Sequence, residues 1–144
     1  MTPLEKSQKD SIIRRISFIE IELADLEENS GLDYATYQRD RLKRRNVERI
    51  AENIANAIID IGKIVLASEK ADLPGTYREV FTRLSEVGLL PEDLAEQIGE
   101  LSRTRNILAH QYLDLKWEKV NCFIDEAPGA VKEFIKCINH LLDE

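Results

Sequence analysis

"VERIAENIANAIIDIGKIV", residues 47–65, decides the fold of this chain, because its apolar residues recur at steps of three and four. Such spacing returns to one face of an α-helix and gives that face an apolar stripe. A second stretch upstream has the same spacing, with apolar residues at Ile12, Ile16, Ile19, Leu23 and Leu26. We therefore predict two long amphipathic helices that form a hairpin.

Turn signals divide the rest of the chain into three further helices. "TYRE", Thr76–Glu79, has the spacing of a capping box and begins a short helix. A fourth helix begins at Pro91 and a fifth at about Lys116, and Pro128 is predicted to kink or split the fifth. Because no segment has the pattern of a strand, we predict an all-α antiparallel bundle of about five helices, with residues 1–144 as a single domain.

Composition and charge narrow the class of protein. The 144 residues have a net charge of −7, which argues against a protein that coats nucleic acid electrostatically but leaves room for a small basic site. No apolar run reaches membrane-spanning length and the first ten residues lack a signal-peptide core, so we predict a cytoplasmic protein without membrane contact. Cys122 and Cys137 fit neither a zinc site nor a redox pair, and we expect no metal and no cofactor.

Charge is unevenly distributed between the two long helices. Residues 39–49, "RDRLKRRNVER", hold six basic and two acidic residues, whereas residues 20–28, "EIELADLEE", hold five acids and no base. One interpretation is a pair of solvated faces that attract each other across the hairpin. The other is a basic surface for an RNA backbone or a protein partner.

The fourth helix ends in a polar stretch, "RTRNILAHQY", residues 103–112. Its apolar stripe consists of Leu94, Ile98, Leu101 and Leu108. Arg105 and Tyr112 fall almost on the same line, which is costly for an arginine unless it has a partner or faces a cleft. A second stripe on the opposite side consists of Arg103, Asn106 and His110.

Histidine and arginine together suit the cleavage of RNA without metal. An imidazole transfers protons near neutral pH, and a guanidinium presents a fixed fork of donors to a phosphate. When the ribose 2′-hydroxyl attacks its own phosphodiester, a base has only to remove one proton. The residues alone leave open a plain alternative, in which the helix end is capped and its histidine is simply hydrogen-bonded.

The motif "RNILAHQY", residues 105–112, resembles the R-x(4–6)-H-x-Y motif of the HEPN superfamily of ribonuclease and nucleotide-binding domains. The surrounding residues 73–120 and the helix at 44–68 resemble the HepT-like branch of that superfamily, so the likeness covers essentially the whole chain. One departure is at the second helix, where the branch often has an aspartate followed three residues later by a histidine. This chain has Asp60 and then Lys63.

The resemblance implies a role for each motif residue. Arg105 would bind phosphate, His110 would act as acid and base, and Asn106 would orient them. Tyr112 would be the residue that a cognate minimal nucleotidyltransferase (MNT) antitoxin adenylylates. Arg103 fits the longer spacing of the motif and is a second candidate for binding phosphate, because Arg105 and His110 stand about 140° apart on an ideal helix while Arg103 and His110 nearly coincide.

The predicted function is therefore that of a toxin in a toxin–antitoxin pair, a metal-independent endoribonuclease that the MNT antitoxin neutralises. The resemblance also implies a homodimer in which both motif helices face a shared cleft. The alternative is a non-catalytic interaction or nucleotide-binding module of the same superfamily.

Overall fold

The computed structural model describes residues 3–69, 74–110 and 112–144, and His110 only as a backbone position. These ranges contain seven helical segments and no strand, which confirms the predicted all-α class. The segments are α1 (Lys6–Glu27), α2 (Tyr34–Arg39), α3 (Arg41–Ser68), α4 (Tyr77–Glu86), α5 (Glu92–Ser102), α6 (Thr104–His110) and α7 (Leu113–Leu142). None of them, within the described residues, combines the length and apolarity that crossing a bilayer requires.

Helices α1 and α3 form the predicted antiparallel hairpin. The amide of Asn53 donates to the Glu22 carboxylate at 3.1 Å, and Arg15 Nε lies 3.6 Å from Asp60 Oδ2. Residues 15 and 22 of α1 thus lie beside residues 60 and 53 of α3, so the two helices run in opposite directions. The predicted stripes of both helices are buried, including Ile12 and Ile19 of α1.

Helix α3 is the central element, since it contacts each of the other six segments. It approaches α4 closely at Gly62, where an added Cβ would lie 2.7 Å from Val80 Cγ1 and 3.5 Å from Phe81 Cε1 of α4. Small size at residue 62 therefore lets α4 pack directly on α3.

The α4–α5 hairpin has the predicted ends. Thr76 Oγ1 accepts a hydrogen bond from the Glu79 amide at 3.3 Å, and Gly88 adopts a φ of +83° after the last turn of α4. That left-handed conformation lets the Leu89 amide donate to the Leu84 carbonyl at 3.0 Å. Pro91 caps α5 from one position before its first residue.

The described residues contain two more helical segments than the roughly five predicted, partly because the fourth helix is broken at Arg103. The buried Ser102 hydroxyl donates to the Gly99 carbonyl at 2.7 Å, and the Arg103 amide bonds instead to Glu100 at 3.2 Å. Competition from a side chain of this kind tightens the turn and ends α5. The second addition is the short α2.

The expected split at Pro128 is also absent, and α7 runs through it as one helix of 30 residues. Proline removes one backbone donor from a helix interior, a cost that tertiary packing must offset. Buried residues surround the proline on the inner face of α7, namely Ala127, Ala130, Val131 and Phe134. Their packing keeps both halves of α7 on the same core.

An aromatic cluster joins α2 to α7. The ring of Tyr37 lies 5.1 Å from that of Trp117, and the ring of Tyr34 lies 6.1 Å from it. Tyr37 is fully buried, and its hydroxyl has no hydrogen-bond partner among the described residues. These tyrosines are packing residues of the fold.

Candidate functional site

Helix α6 carries three residues of the predicted site, Arg105, Asn106 and His110, while Arg103 and Tyr112 lie just outside it. Thr104 and Leu108, one turn apart, are buried on its inner side, where α6 packs against α3 and α7. This orientation leaves Arg105 half-buried and Asn106 exposed. His110 is the last residue of α6, and its predicted acid–base role concerns a side chain that lies outside the described residues.

Arg105 is held by Tyr77, the first residue of α4. The Arg105 guanidinium donates to the Tyr77 hydroxyl, and its central carbon lies 5.3 Å from the centroid of the same ring. Both side chains are half-buried. An arginine close to the apolar stripe is therefore satisfied within one chain, by a hydrogen bond and by a cation–π contact.

Lys63 of α3 approaches the same tyrosine. Its ammonium lies 5.5 Å from the centroid of the Tyr77 ring, so two cations from two helices share one aromatic side chain. Lys63 occupies the position at which the HepT-like branch often has histidine. Asp60, one turn earlier, instead pairs with Arg15 of α1 at 3.6 Å.

Arg103 and Asn106 line one side of a cleft of about 620 Å³, which we call the Arg103 cleft. Its other lining residues are Gly75, Thr76, Tyr77 and Arg78. The guanidinium of Arg103 lies 3.3 Å from the Glu100 carboxylate, and Arg78 reaches the same carboxylate at 3.3 Å. A phosphate in this cleft would have to compete with Glu100 for both arginines.

Arg105 lines a different cavity, which we call the α3–α6 groove. The groove has a volume of about 240 Å³ and lies between Arg45, Glu48, Arg49, Glu52, Arg105, Leu108 and Ala109. The two arginines that the motif offers as alternatives thus open onto separate cavities. Tyr77 connects them, because it lines the Arg103 cleft while its hydroxyl binds Arg105.

Tyr112 does not continue the apolar stripe, contrary to the sequence prediction. Helix α6 ends at His110, and Tyr112 adopts an extended backbone conformation as the N-cap of α7. Its side chain is 82% exposed. The helical line drawn from Leu108 to Tyr112 fails because the helix stops between them.

Sequence reasoning missed Tyr77 as a site residue. Tyr77 and Arg105 are 28 residues apart, and they meet because α4 and α6 both pack against α3. The groove had one sequence signal, the basic segment at 39–49, which supplies Arg45 and Arg49. Within the described part of the chain, no three acidic, histidine or cysteine side chains converge as the ligands of a metal ion would.

Comparison with known proteins identifies relatives over most of the chain. The sequence profile of the ribonuclease HepT-like family matches residues 19–138. The tRNA nuclease HepT of Aphanizomenon flos-aquae is 33% identical over 95 residues, which cover 66% of this chain and 65% of that protein. The mRNA nuclease HepT of Shewanella oneidensis is 23% identical over 129 residues, which cover 90% of this chain and 96% of that protein. The chain thus spans just under two thirds of the first relative and nearly all of the second.

Solved structures confirm the HEPN-like fold. The tri-AMPylated HEPN toxin of Shewanella oneidensis, in complex with an MNT antitoxin, superposes with a TM-score of 0.79. That alignment covers 91% of this chain and 98% of the toxin at 23% identity. At such identity the likeness establishes the fold, while the sequence profile establishes the family.

Proposed function

Because the chain belongs to the HepT-like ribonuclease family, we propose that it cleaves RNA as the toxin of a toxin–antitoxin pair. One observation carries the proposal. The motif arginine of α6 is fixed by Tyr77 at a groove lined by two further arginines, on the same seven-residue helix whose last residue is His110. A preorganised guanidinium on the same short helix as a titratable residue supports phosphodiester chemistry, which needs both charge stabilisation and proton transfer.

The proposed reaction needs only proton transfers and charge stabilisation. His110 takes the proton of a ribose 2′-hydroxyl, whose oxygen forms a bond to the adjacent phosphorus. The bond from that phosphorus to the 5′-oxygen of the next nucleotide breaks, and the leaving oxygen receives a proton. Arg105 stabilises the charge on the phosphoryl oxygens, and Asn106 assists in orientation. The products are a 2′,3′-cyclic phosphate and a 5′-hydroxyl.

Tyr112 is the proposed site of neutralisation. An MNT-type nucleotidyltransferase would transfer AMP from ATP to its hydroxyl, so that an oxygen–phosphorus bond forms at Tyr112 and pyrophosphate leaves. The solvent-facing position of Tyr112 supports this role, because an enzyme must reach the hydroxyl. The added phosphate would place negative charge two residues beyond His110, where it would repel RNA.

We further propose that two copies pair beside α6. Leu115, an apolar side chain in the first turn of α7, is exposed shortly after the end of α6. Apolar surface of this kind beside a site is typical of an interface. Light scattering after gel filtration should give twice the mass of one chain, and a monomer mass would contradict the pairing.

The nuclease proposal is tested with purified protein and RNA in excess chelator. We expect cleavage that leaves cyclic phosphate ends, and we expect His110→Ala to lower its rate by about 10²–10⁴-fold, the usual contribution of acid–base catalysis. Lys43→Ala, an exposed substitution on α3, is the control and should cleave normally. Equal rates for wild type and His110→Ala would contradict the proposal.

The second candidate is a non-catalytic module that holds a nucleotide or a partner in the same cavities. It is favoured by the ion pairs of Arg103 and Arg78 with Glu100, which occupy two of the donors of the Arg103 cleft. Binding of an MNT-type protein without detectable cleavage of any RNA would support this alternative.

A further inference from the structure

The basic segment at 39–49 divides into residues with different contacts. Arg44 donates to the backbone carbonyls of Tyr37 at 3.2 Å and Gln38 at 3.0 Å, so it caps the end of α2. Lys43 is exposed on another face of α3. Arg45 and Arg49, one turn apart, line the α3–α6 groove. Among the described residues, no ion pair joins this segment to the acidic residues 20–28, so attraction across the hairpin does not account for it.

The α3–α6 groove is therefore lined by three arginines from two helices. Arg45 and Arg49 come from α3, and Arg105 faces them from α6. Glu48 and Glu52 also line the groove, and Arg49 Nη1 lies 3.5 Å from Glu52 Oε1. Arg49 is 69% exposed in this ion pair, so its guanidinium remains available to a ligand.

We propose that the α3–α6 groove binds the phosphates of the RNA strand next to the cleaved bond, with Arg45 and Arg49 as positioning residues. This inference rests on the proposed nuclease function. Ala109, the residue before His110, lines the groove, so a strand bound there lies near the end of α6. Arginines one helical turn apart can bind successive phosphates of an extended strand.

The small size and the charge of the groove favour phosphates over a protein surface. A groove of about 240 Å³ is too small for a folded partner, but it admits a phosphate group and its sugar. Its guanidiniums present paired donors, which match the oxygens of phosphate. A local site of this kind is compatible with a chain whose overall charge is −7.

Equilibrium binding of a fluorescent single-stranded RNA to the His110→Ala protein tests the groove without cleavage. Adding Arg45→Ala and Arg49→Ala together should weaken binding about tenfold or more, since each removes a charge-assisted contact. The slope of log affinity against log salt should fall by about 1.4, or about 0.7 for each lost phosphate contact. Both arginines are exposed, so melting temperature should not change.

Two substitutions give this test matched controls. Lys43→Ala removes the same charge from the same helix outside the groove and should leave affinity and salt slope close to those of the parent. Glu52→Gln removes the carboxylate that competes for Arg49 and should strengthen RNA binding severalfold. A general loss of fold would not raise RNA affinity in the Glu52→Gln variant and lower it in the arginine variants.

The outcomes separate this inference from the nuclease proposal. If wild type cleaves RNA but the double arginine variant binds RNA like the Lys43→Ala control, the groove assignment is wrong and the nuclease proposal stands. If wild type never cleaves but the double variant loses RNA affinity, the nuclease proposal is wrong and the groove remains an RNA site. Loss of binding to an MNT-type protein with unchanged RNA affinity would make the groove a protein interface and overturn the inference.

Discussion

The Arg105 guanidinium donates a hydrogen bond to the hydroxyl of Tyr77 and lies over the same ring, with 5.3 Å between its central carbon and the ring centroid. The hydrogen bond and the ring contact together fix the guanidinium of this flexible side chain. The contact joins the N-terminus of α4 to α6, so the position of the motif arginine depends on a residue outside the motif. Tyr77 is a positioning residue in the proposed reaction.

Replacing Tyr77 by phenylalanine should lower kcat/KM for RNA cleavage roughly fivefold, which corresponds to about 1 kcal/mol. The ring stays in place while the acceptor for the guanidinium is lost, and partial exposure of the pair reduces the effect below that of a buried one. Steady-state kinetics on one defined RNA would measure it.

A double-mutant cycle with Arg105→Ala separates positioning from stability. If Tyr77 acts through Arg105, Tyr77→Phe should have little further effect on the rate once Arg105 is gone. If the losses of rate from the two single substitutions simply add in the double variant, Tyr77 acts independently of Arg105. A lowered melting temperature in Tyr77→Phe alone would assign Tyr77 a structural role.

Tyr112→Phe should abolish one adenylyl addition when the chain is co-expressed with an MNT-type nucleotidyltransferase, as seen by intact mass. The side chain is 82% exposed, so the free energy of unfolding should change by less than about 0.5 kcal/mol. Tyr34→Phe is the control, because Tyr34 packs against Trp117 and should leave the modification unchanged. If the Tyr112→Phe variant were still fully adenylylated, the acceptor would be another residue.

Gly62→Ala should destabilise the protein although alanine is the better helix former. The new Cβ would lie 2.7 Å from Val80 Cγ1, a buried branched side chain that has little room to move. Overpacking costs about 1–3 kcal/mol and the helix preference returns about 1 kcal/mol, so we expect a net loss of roughly 1 kcal/mol. Thermal or chemical unfolding would measure it.

Gly129→Ala is the matched control for Gly62→Ala. Gly129 lies inside α7, is exposed, and has no atom within 4 Å of an added Cβ. The same substitution there should stabilise the protein by about 0.5–1 kcal/mol. Equal effects at both positions would mean that the α3–α4 contact at Gly62 is not tight.

Tyr37→Phe should stabilise the fold and reduce its sensitivity to alkali. The buried hydroxyl has no hydrogen-bond partner among the described residues, and its removal should raise the free energy of unfolding by about 1 kcal/mol. Burial, reinforced by the charge of Glu48, raises the pKa of Tyr37 above its ordinary value. The unfolded chain therefore loses this proton first, and stability should fall as pH rises above about 10.

Chemical unfolding from pH 8 to pH 11 would measure the alkaline effect. The decline attributable to Tyr37 should be absent in Tyr37→Phe and present in Tyr34→Phe, whose side chain is only half-buried. Parallel decline in wild type and Tyr37→Phe would assign the alkaline effect to other groups.

The sequence predicts those parts of this protein that follow from local periodicity. Ile54 and Ile58 specify the buried face of α3, and Thr76 and Gly88 specify the ends of α4. The break at Arg103 escapes such reasoning, because it follows from one serine hydroxyl taking a carbonyl from the backbone. The predicted position of Tyr112 on the apolar stripe is wrong for a related reason. Helical spacing places residues on one face only while the helix continues, and α6 ends before Tyr112.

The motif predicts which residues to examine but not which cavities they face. Arg103 and Arg105 differ by two positions in sequence, yet one lines a cleft beside α4 and the other a groove beside α3. Helix rotation separates them, and tertiary packing supplies the partner of each. The contact of Arg105 with Tyr77 depends on the relative placement of two helices, which no spacing within one segment encodes.

Helix α6 contains only seven residues, with a turn before it and two residues between its end and the start of α7. A peptide of that length is not helical in water. The helical conformation of α6 therefore depends on the packing of Thr104 and Leu108 against the core. Local opening of this one segment can thus disassemble the site while the long helices stay folded. The candidate site and the folded core of the protein are therefore separable, and each can be altered without the other.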